Sequence, residues 1–224
     1  MVKFVENELQ TIKQEVNDMW ELVQKQFENA RAAVLSGDRN LAAVVIGREK
    51  RVNSFELRID SDIEDFIALY NPVAIDLRFS LAMLNITSNL ERLGDYAEGI
   101  ARFVVRNEMD AQAKELVSQM GLLKMYDMVL DMLSTVFKAL KDHDIEAAKS
   151  VFGRDDAIDD INRDSLDRLA EYATAHPQSV RLCLEVSALF RKLERAGDHI
   201  NNLAEQTVYY IDAEVLKHSG NKEA

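Results

Sequence analysis

The chain is written twice. A shift of 106 positions lays Met19-Trp20-Glu21 on Met125-Tyr126-Asp127, Val23 on Val129, Ala33 on Ala139, Asp38 on Asp144 and Gly47-Arg48 on Gly153-Arg154. Further on the shift becomes 103, and Leu90-Glu91-Arg92-Leu93-Gly94-Asp95 falls on Leu193-Glu194-Arg195-Ala196-Gly197-Asp198, five identities in six positions. A sequence that repeats at this length is a tandem duplication of one structural unit, so the fold has to be two related bodies. Residues 1–108 form the first repeat and 109–224 the second. Their net charges are −5 and −7, and no Pro- or Gly-rich linker separates them. Two bundles packed together therefore fit better than two beads on a string.

The unit is helical. Phe55, Ile59, Ile63 and Phe66 recur every three or four residues, as do Leu90, Gly94, Ala97, Ala101 and Val104, the spacing of a helix that buries one face. Alternating β-branched runs bounded by turn residues are missing. Breaks fall at Ser36-Gly37-Asp38, Asn71-Pro72, Asn107 to Asp110, Asp142-His143-Asp144 and His176-Pro177. Asp38 is a natural N-cap and Pro72 suits a first helical position. Six helices of roughly 30 residues follow, longer than the average globular helix, and short connections make neighbours antiparallel. The fold class is all-α, two tandem antiparallel three-helix bundles. Lys217 to Ala224 read as a frayed tail.

Composition narrows the function. A net charge of −12 argues against nonspecific grip on nucleic acid or anionic lipid, which needs basic patches. The longest uncharged stretch, Phe79 to Leu90, is 12 residues and contains Ser, Asn and Thr, too short and too polar to span a bilayer. Cys183 is the only cysteine, which excludes an internal disulfide and a multi-thiolate metal centre. No phosphate loop, dinucleotide fingerprint or HExxH motif occurs, and spacing nominates no nucleophile with its base. Trp20, Tyr126 and the methionines at 19, 83, 120, 125, 128 and 132 read as core. His199 follows Asp198, but Tyr96 holds the matching place in the first half, so an ordinary hydrogen bond is the better reading.

The chemistry lies in acids that repeat in register. Glu91 and Asp95 are four apart and share a helix face, as do Glu194 and Asp198. The preceding helix carries Glu49 and Asn53 in the first half, and Asp155 and Asp159 in the second. Glu49 lies about 22 residues before the Asn71-Pro72 turn and Glu91 about 19 after it, so at about 1.5 Å per residue an antiparallel hairpin brings both pairs to nearly one level. The second hairpin does the same. Clustered carboxylates repel unless a cation sits among them, and all-oxygen sets suit magnesium, manganese, calcium or iron. Gly94 and Gly197, unfavourable inside a helix, predict that another helix passes close by. The bland alternative is a solvated acidic face laced with weak ion pairs through Arg92 and Arg195.

With both Leu-Glu-Arg-x-Gly-Asp motifs, the Asn71-Pro72 and His176-Pro177 helix starts and two three-helix repeats, the chain resembles the PhoU family over nearly its whole length. The resemblance implies a cytoplasmic, dimeric accessory protein of bacterial phosphate uptake. Such a protein restrains the phosphate-starvation response and acts without catalysis on the phosphate ABC importer, through its ATPase subunit, and on the phosphate-sensing histidine kinase. It also implies multinuclear iron or zinc clusters at Glu49, Glu91, Asp95, Asp155, Asp159, Glu194 and Asp198. Asn53 departs from the usual Asp, which predicts a weaker or emptier first cluster. The competing function is a redox-active di-iron bundle. Such sites use Glu-x-x-His, and the residues three before the histidines here are Leu140, Ala173, Ala196 and Val215.

Overall fold

The first repeat forms three long helices, α1 (Val2–Ser36), α2 (Arg39–Tyr70) and α3 (Ala74–Arg106). The second forms five: α4 (Ala111–Gln119), α5 (Leu122–Asp142), α6 (Ile145–Lys149), α7 (Arg154–Ala175) and α8 (Val180–Asp212). A single 3-10 turn (Pro177–Ser179) leads into α8. The computed structural model describes residues 2–216, and no strand occurs among them. Lys217 to Ala224, with His218, lie outside the described residues.

The caps are local chemistry. Asp38 accepts hydrogen bonds from the amides of Asn40 and Leu41 at 2.8 and 3.0 Å, satisfying two of the orphan donors that open α2. Asp110 and Asp144 do the same for Ala113 and Ala147. Asn71 closes α2 in the left-handed region, φ 46°, a conformation its short amide tolerates. Two departures from the sequence reading appear here. Pro72 does not open α3. The chain needs one more extended residue, Val73, to reverse direction after the left-handed Asn71, and α3 starts at Ala74. The two long helices expected at the start of the second repeat are each broken. Gly121 (φ 83°) separates α4 from α5, and Gly153 (φ 84°) separates α6 from α7. Gly47, the counterpart of Gly153, stays helical inside α2.

Within each half the helices pack antiparallel, and the halves meet twice, α3 against α8 and α1 against α5. Third helix meets third and first meets first, the pattern of a pseudo-two-fold axis. One hydrophobic core runs through both bundles. It includes Trp20 and Tyr126, both fully buried. Across the α1–α5 seam Trp20 stacks on Phe137 with centroids 5.2 Å apart, Phe27 meets Tyr126 edge-on, and Arg31 pairs with Asp127 at 2.7 Å. On the α3–α8 seam Tyr96 Oη lies 3.2 Å from His199 Nε2. These two residues correspond under the 103-residue shift, so they face each other on the axis itself. Arg195 donates to Tyr96 Oη at 3.2 Å, and the charge of its counterpart Arg92 reaches His199.

The interior glycines behave as their cost predicts. A Cβ on Gly94 would stand 3.0 Å from Val52 Cγ1 of α2, and one on Gly197 would stand 2.8 Å from Asp155 Oδ1 and 3.3 Å from Ile158 Cδ1 of α7. Each glycine thus lets the hairpin partner close onto the third helix. Val52 is β-branched and stiff, so it cannot swing aside. Gly94→Ala should lose about 1–3 kcal/mol to overpacking, more than the roughly 1 kcal/mol gained in helix propensity. Gly47 has nothing within 4 Å, and Gly47→Ala should raise the melting temperature by about 2–4 °C per kcal/mol gained. Thermal unfolding of the two variants should shift in opposite directions. A shared sign would show that close helix approach is not why Gly94 is there.

Candidate metal centres

Two patches of acids lie on the hairpins α2–α3 and α7–α8. In the first, Val52 opposite Gly94 and Thr87 Oγ1 3.4 Å from Asp60 Oδ1 fix the antiparallel register. That register sets Glu49 and Asn53 alongside Glu91 and Asp95, and all four are partly buried. Gly197 against Asp155 and Ile158 does the same for Asp155, Asp159, Glu194 and Asp198, of which only Asp198 is well exposed. The structure therefore puts all eight sequence-nominated residues in two groups of four. Among the described residues no group of three or more His, Cys, Asp or Glu is drawn together tightly enough to hold an ion as the side chains stand. In the first patch Arg92 lies 3.4 Å from Glu91 and 3.5 Å from Asp95, a local counter-charge for both.

The electrostatics record what it costs to hold these acids together. Glu91 is pushed up to about 7, first by burial and then by the charges of Asp95, Glu56 and Glu49, with Arg92 opposing. Asp155 is pushed up to about 6 by burial and by Asp198, Asp159, Asp156 and Glu194. It opens α7, where a helix N-terminus favours negative charge, so its upward shift shows burial and neighbouring acids outweighing the dipole. Glu49, Glu194 and Asp198 are raised as well, burial leading in each. For Glu49 the Asn53 amide pulls the other way. Two oxygens in the patches, Asn53 Oδ1 and Asp155 Oδ1, are buried with no hydrogen-bond partner. Buried acceptors are normally satisfied, so these two call for a cation or a water.

Sequence reading missed Glu56 and Glu98. The charge of Glu98 bears on Glu49, and Glu56 is itself raised, by burial and then by Asp60 and Asp95. Both sit seven residues beyond a nominated acid, a spacing that stays on the same helix face. His199 does not join the second patch. Its Nδ1 lies 2.8 Å from Asn89 Oδ1 and its Nε2 faces Tyr96, so both ring nitrogens are engaged on the seam.

The oxygen-only donor sets, their partial burial and the two orphaned acceptors fit hard or borderline cations held between paired helices. Comparison with known proteins gives the context. The family model described as "PhoU domain" matches residues 16–104 and 122–207. The "Phosphate-specific transport system accessory protein PhoU homolog" of Caulobacter vibrioides is 30% identical over 218 residues, covering 96% of this chain and 93% of that protein. The Escherichia coli K12 "Phosphate-specific transport system accessory protein PhoU" is 29% identical, covering 96% and 88%. The crystal structure of PhoU from Pseudomonas aeruginosa superposes with a TM-score of 0.88 at 27% identity, covering 93% of this chain and 99% of that one. The phosphate transport system regulatory protein PhoU from Streptococcus pneumoniae gives 0.84 at 26%, covering 94% and 98%.

The raised carboxyls carry a pH signature. A carboxyl whose folded pKa lies above its unfolded value binds more protons folded than unfolded between the two, so stability falls as pH rises through that interval. For Glu91 the interval runs from 4.5 to about 7, and for Asp155 from 3.8 to about 6. Chelator-treated protein should melt at a higher temperature near pH 5 than near pH 8, and Glu91→Gln should flatten the difference. A melting temperature that rises between those pH values would contradict the assignment.

Proposed function

Since the chain belongs to the PhoU family, its family model matching both halves and a 30% identical relative spanning nearly all of it, we propose that it is a non-enzymatic regulatory adaptor of phosphate uptake. It acts on the phosphate ABC importer through the ATPase subunit and on the phosphate-sensing histidine kinase, and it restrains the phosphate-starvation response when phosphate is plentiful. The names of the relatives, accessory and regulatory proteins of phosphate transport, support the role. No helix among the described residues is long and apolar enough to cross a membrane. A cytoplasmic dimer that docks on the importer from the inner side accords with this.

The same reading includes metal. Glu49, Asn53, Glu91 and Asp95 would hold ions in the first half, and Asp155, Asp159, Glu194 and Asp198 in the second, iron or zinc by family and manganese or magnesium by donor chemistry. The ions would supply positive charge that lets the acids stay ionised side by side. The observation that carries this is the repeated, partly buried carboxylate pairing with upward-shifted Glu91 and Asp155. Drawing the ligands inward needs side-chain rotation and the release of Glu91 and Asp95 by Arg92, while the helices stay in place. Nothing observed favours a di-iron oxidase, because the one histidine near an acid patch is engaged with Asn89 and Tyr96.

Two measurements test the proposal. Affinity isolation of the chain from cells grown with ample phosphate should bring down the importer's ATPase subunit and the sensor kinase. Recovery of neither would reject the adaptor role. Elemental analysis of untagged protein should show metal, with Asp95→Ala lowering the content of the first half and Asp198→Ala that of the second. Unchanged stoichiometry in the double variant would reject the ligand assignment.

A further inference from the structure

The motif Glu/Asp-x-x-x-Asp stops at the fourth residue, but antiparallel packing does not. When two antiparallel helices lie level at their midpoints, position i of one faces roughly position i+7 of the other. Counting outward from Val52 opposite Gly94 and Asp60 opposite Thr87, Glu49 comes level with Glu98, Asn53 with Gly94 and Asp95, and Glu56 with Glu91. The pair motif alone therefore leaves Glu49 and Glu91 each facing a residue outside it. The second hairpin has the same construction. With Gly197 against Asp155 and Ile158, Asn201 lies within about a turn of Asp155, and Asn162 within about a turn of Glu194. Under the 106- and 103-residue shifts Glu56 corresponds to Asn162 and Glu98 to Asn201. All four of these residues are partly buried, and every one ends in an oxygen.

A second observation points the same way. Among the described residues ten buried side-chain polar atoms lack a hydrogen-bond partner, and four are oxygens on these two ladders: Asn53 Oδ1, Asp155 Oδ1, Asn162 Oδ1 and Asn201 Oδ1. All four are acceptors. An amide oxygen left unsatisfied out of solvent costs about 1–3 kcal/mol, and two of the four stand at positions that the pair motif does not use. In the first half the matching positions carry full carboxylates. Glu98 is held by Arg102 at 2.6 Å, as Glu91 and Asp95 are held by Arg92.

We propose that each metal centre is a six-position oxygen cage that runs one helical turn beyond the paired motifs, completed by Glu56 and Glu98 in the first half and by Asn162 and Asn201 in the second. This rests on the metal reading above. It reverses the expectation drawn from Asn53. The first cage has five carboxylates and one amide, the second four and two, so the first half is the more highly charged and the stronger binder of hard cations.

The test uses the full chain, stripped with chelator and titrated with manganese by calorimetry and electron paramagnetic resonance. The Glu56→Gln/Glu98→Gln variant should weaken the tighter class of sites by about tenfold or more, on the scale of ligand-shell losses. Asn162→Asp/Asn201→Asp should tighten the weaker class. An Asp65→Asn/Glu108→Gln control removes the same charge away from the ladders and should leave both classes within a few-fold. Thermal unfolding in chelator checks that each variant folds. If Asp95→Ala and Asp198→Ala abolish binding while the Glu56/Glu98 isotherm overlays the parent, the cages end at the paired motifs and this inference is overturned with the metal reading intact. If the control weakens binding as much as the ladder variant, the effect is general charge and the inference is again overturned. Parent protein that takes up no manganese, iron or zinc overturns both.

Discussion

The close contact of two antiparallel helices at a glycine underlies everything else in this molecule. Gly94 lets Val52 of α2 come in against α3, and Gly197 lets Asp155 and Ile158 come in against α8. Once that distance is set, rotation and register of the pair are fixed by the buried stripes, among them Phe55, Ile59 and Ile63 on α2 and Leu90, Leu93 and Ala97 on α3. The acids flanking those stripes then have no freedom to avoid each other along the helix. They can only rotate, pair with an arginine, or take up protons. The upward shifts of Glu91 and Asp155 record the last option, and the ion pairs of Arg92 and Arg102 record the second.

The pseudo-two-fold axis explains which parts of the repeat were free to diverge. A residue on the axis meets its own counterpart, so both copies cannot keep a chemistry that does not pair with itself. Two tyrosines or two histidines meeting there would pair less well than the mixed couple, and positions 96 and 199 have become tyrosine and histidine, joined at 3.2 Å. Asn89 accepts from Asn202 at 3.3 Å and also contacts His199, while at the symmetry-related place Lys192 lies across Gly99. Away from the axis the Leu-Glu-Arg-x-Gly-Asp segments kept their residues because each faces its own hairpin partner. The seam is thus specialised for joining unlike halves, and the acid patches on either side remain copies.

Much of this was legible in the sequence, and the limits have physical causes. The duplication, the all-helical class, the aspartate caps and the close approach at both glycines could be read because each depends on residues near one another in the chain. The breaks at Gly121 and Gly153 could not. A glycine in a helical pattern is ambiguous, and Gly47, at the place matching Gly153, remains within a continuous helix. Pro72 was misplaced by two residues because the left-handed Asn71 sends the chain out in a direction that only an added extended residue recovers. Glu56 and Glu98 were missed for a different reason. The search looked for acids that repeat in kind, and these two become asparagine in the second half. The signal that finds them is an oxygen-bearing residue at i, i+4 and i+7 on both helices of both hairpins, which has meaning only once the register is known.

An adaptor that binds metal on such ladders differs physically from an enzyme that does. Catalytic centres leave an open position on the metal, a base within reach and a cleft that excludes water. Here the donors project from the faces of rigid helix pairs, the nearby histidine is held on the seam, and the side chains that must move are arginines and carboxylates. Under the proposed reading, what an ion changes is the charge of a face on a chain that carries −12 overall. Before loading, that face would repel an acidic partner and hold protons above the usual carboxylate range. After loading, Arg92 and Arg102 would be released from their carboxylates and presented outward. Electrostatic complementarity governs partner choice and encounter rate more than it governs final affinity, so a change of sign on one face is enough to alter which protein is met first. A scaffold with fixed helices and mobile surface charge suits that task, because the signal passes without any rearrangement of the core.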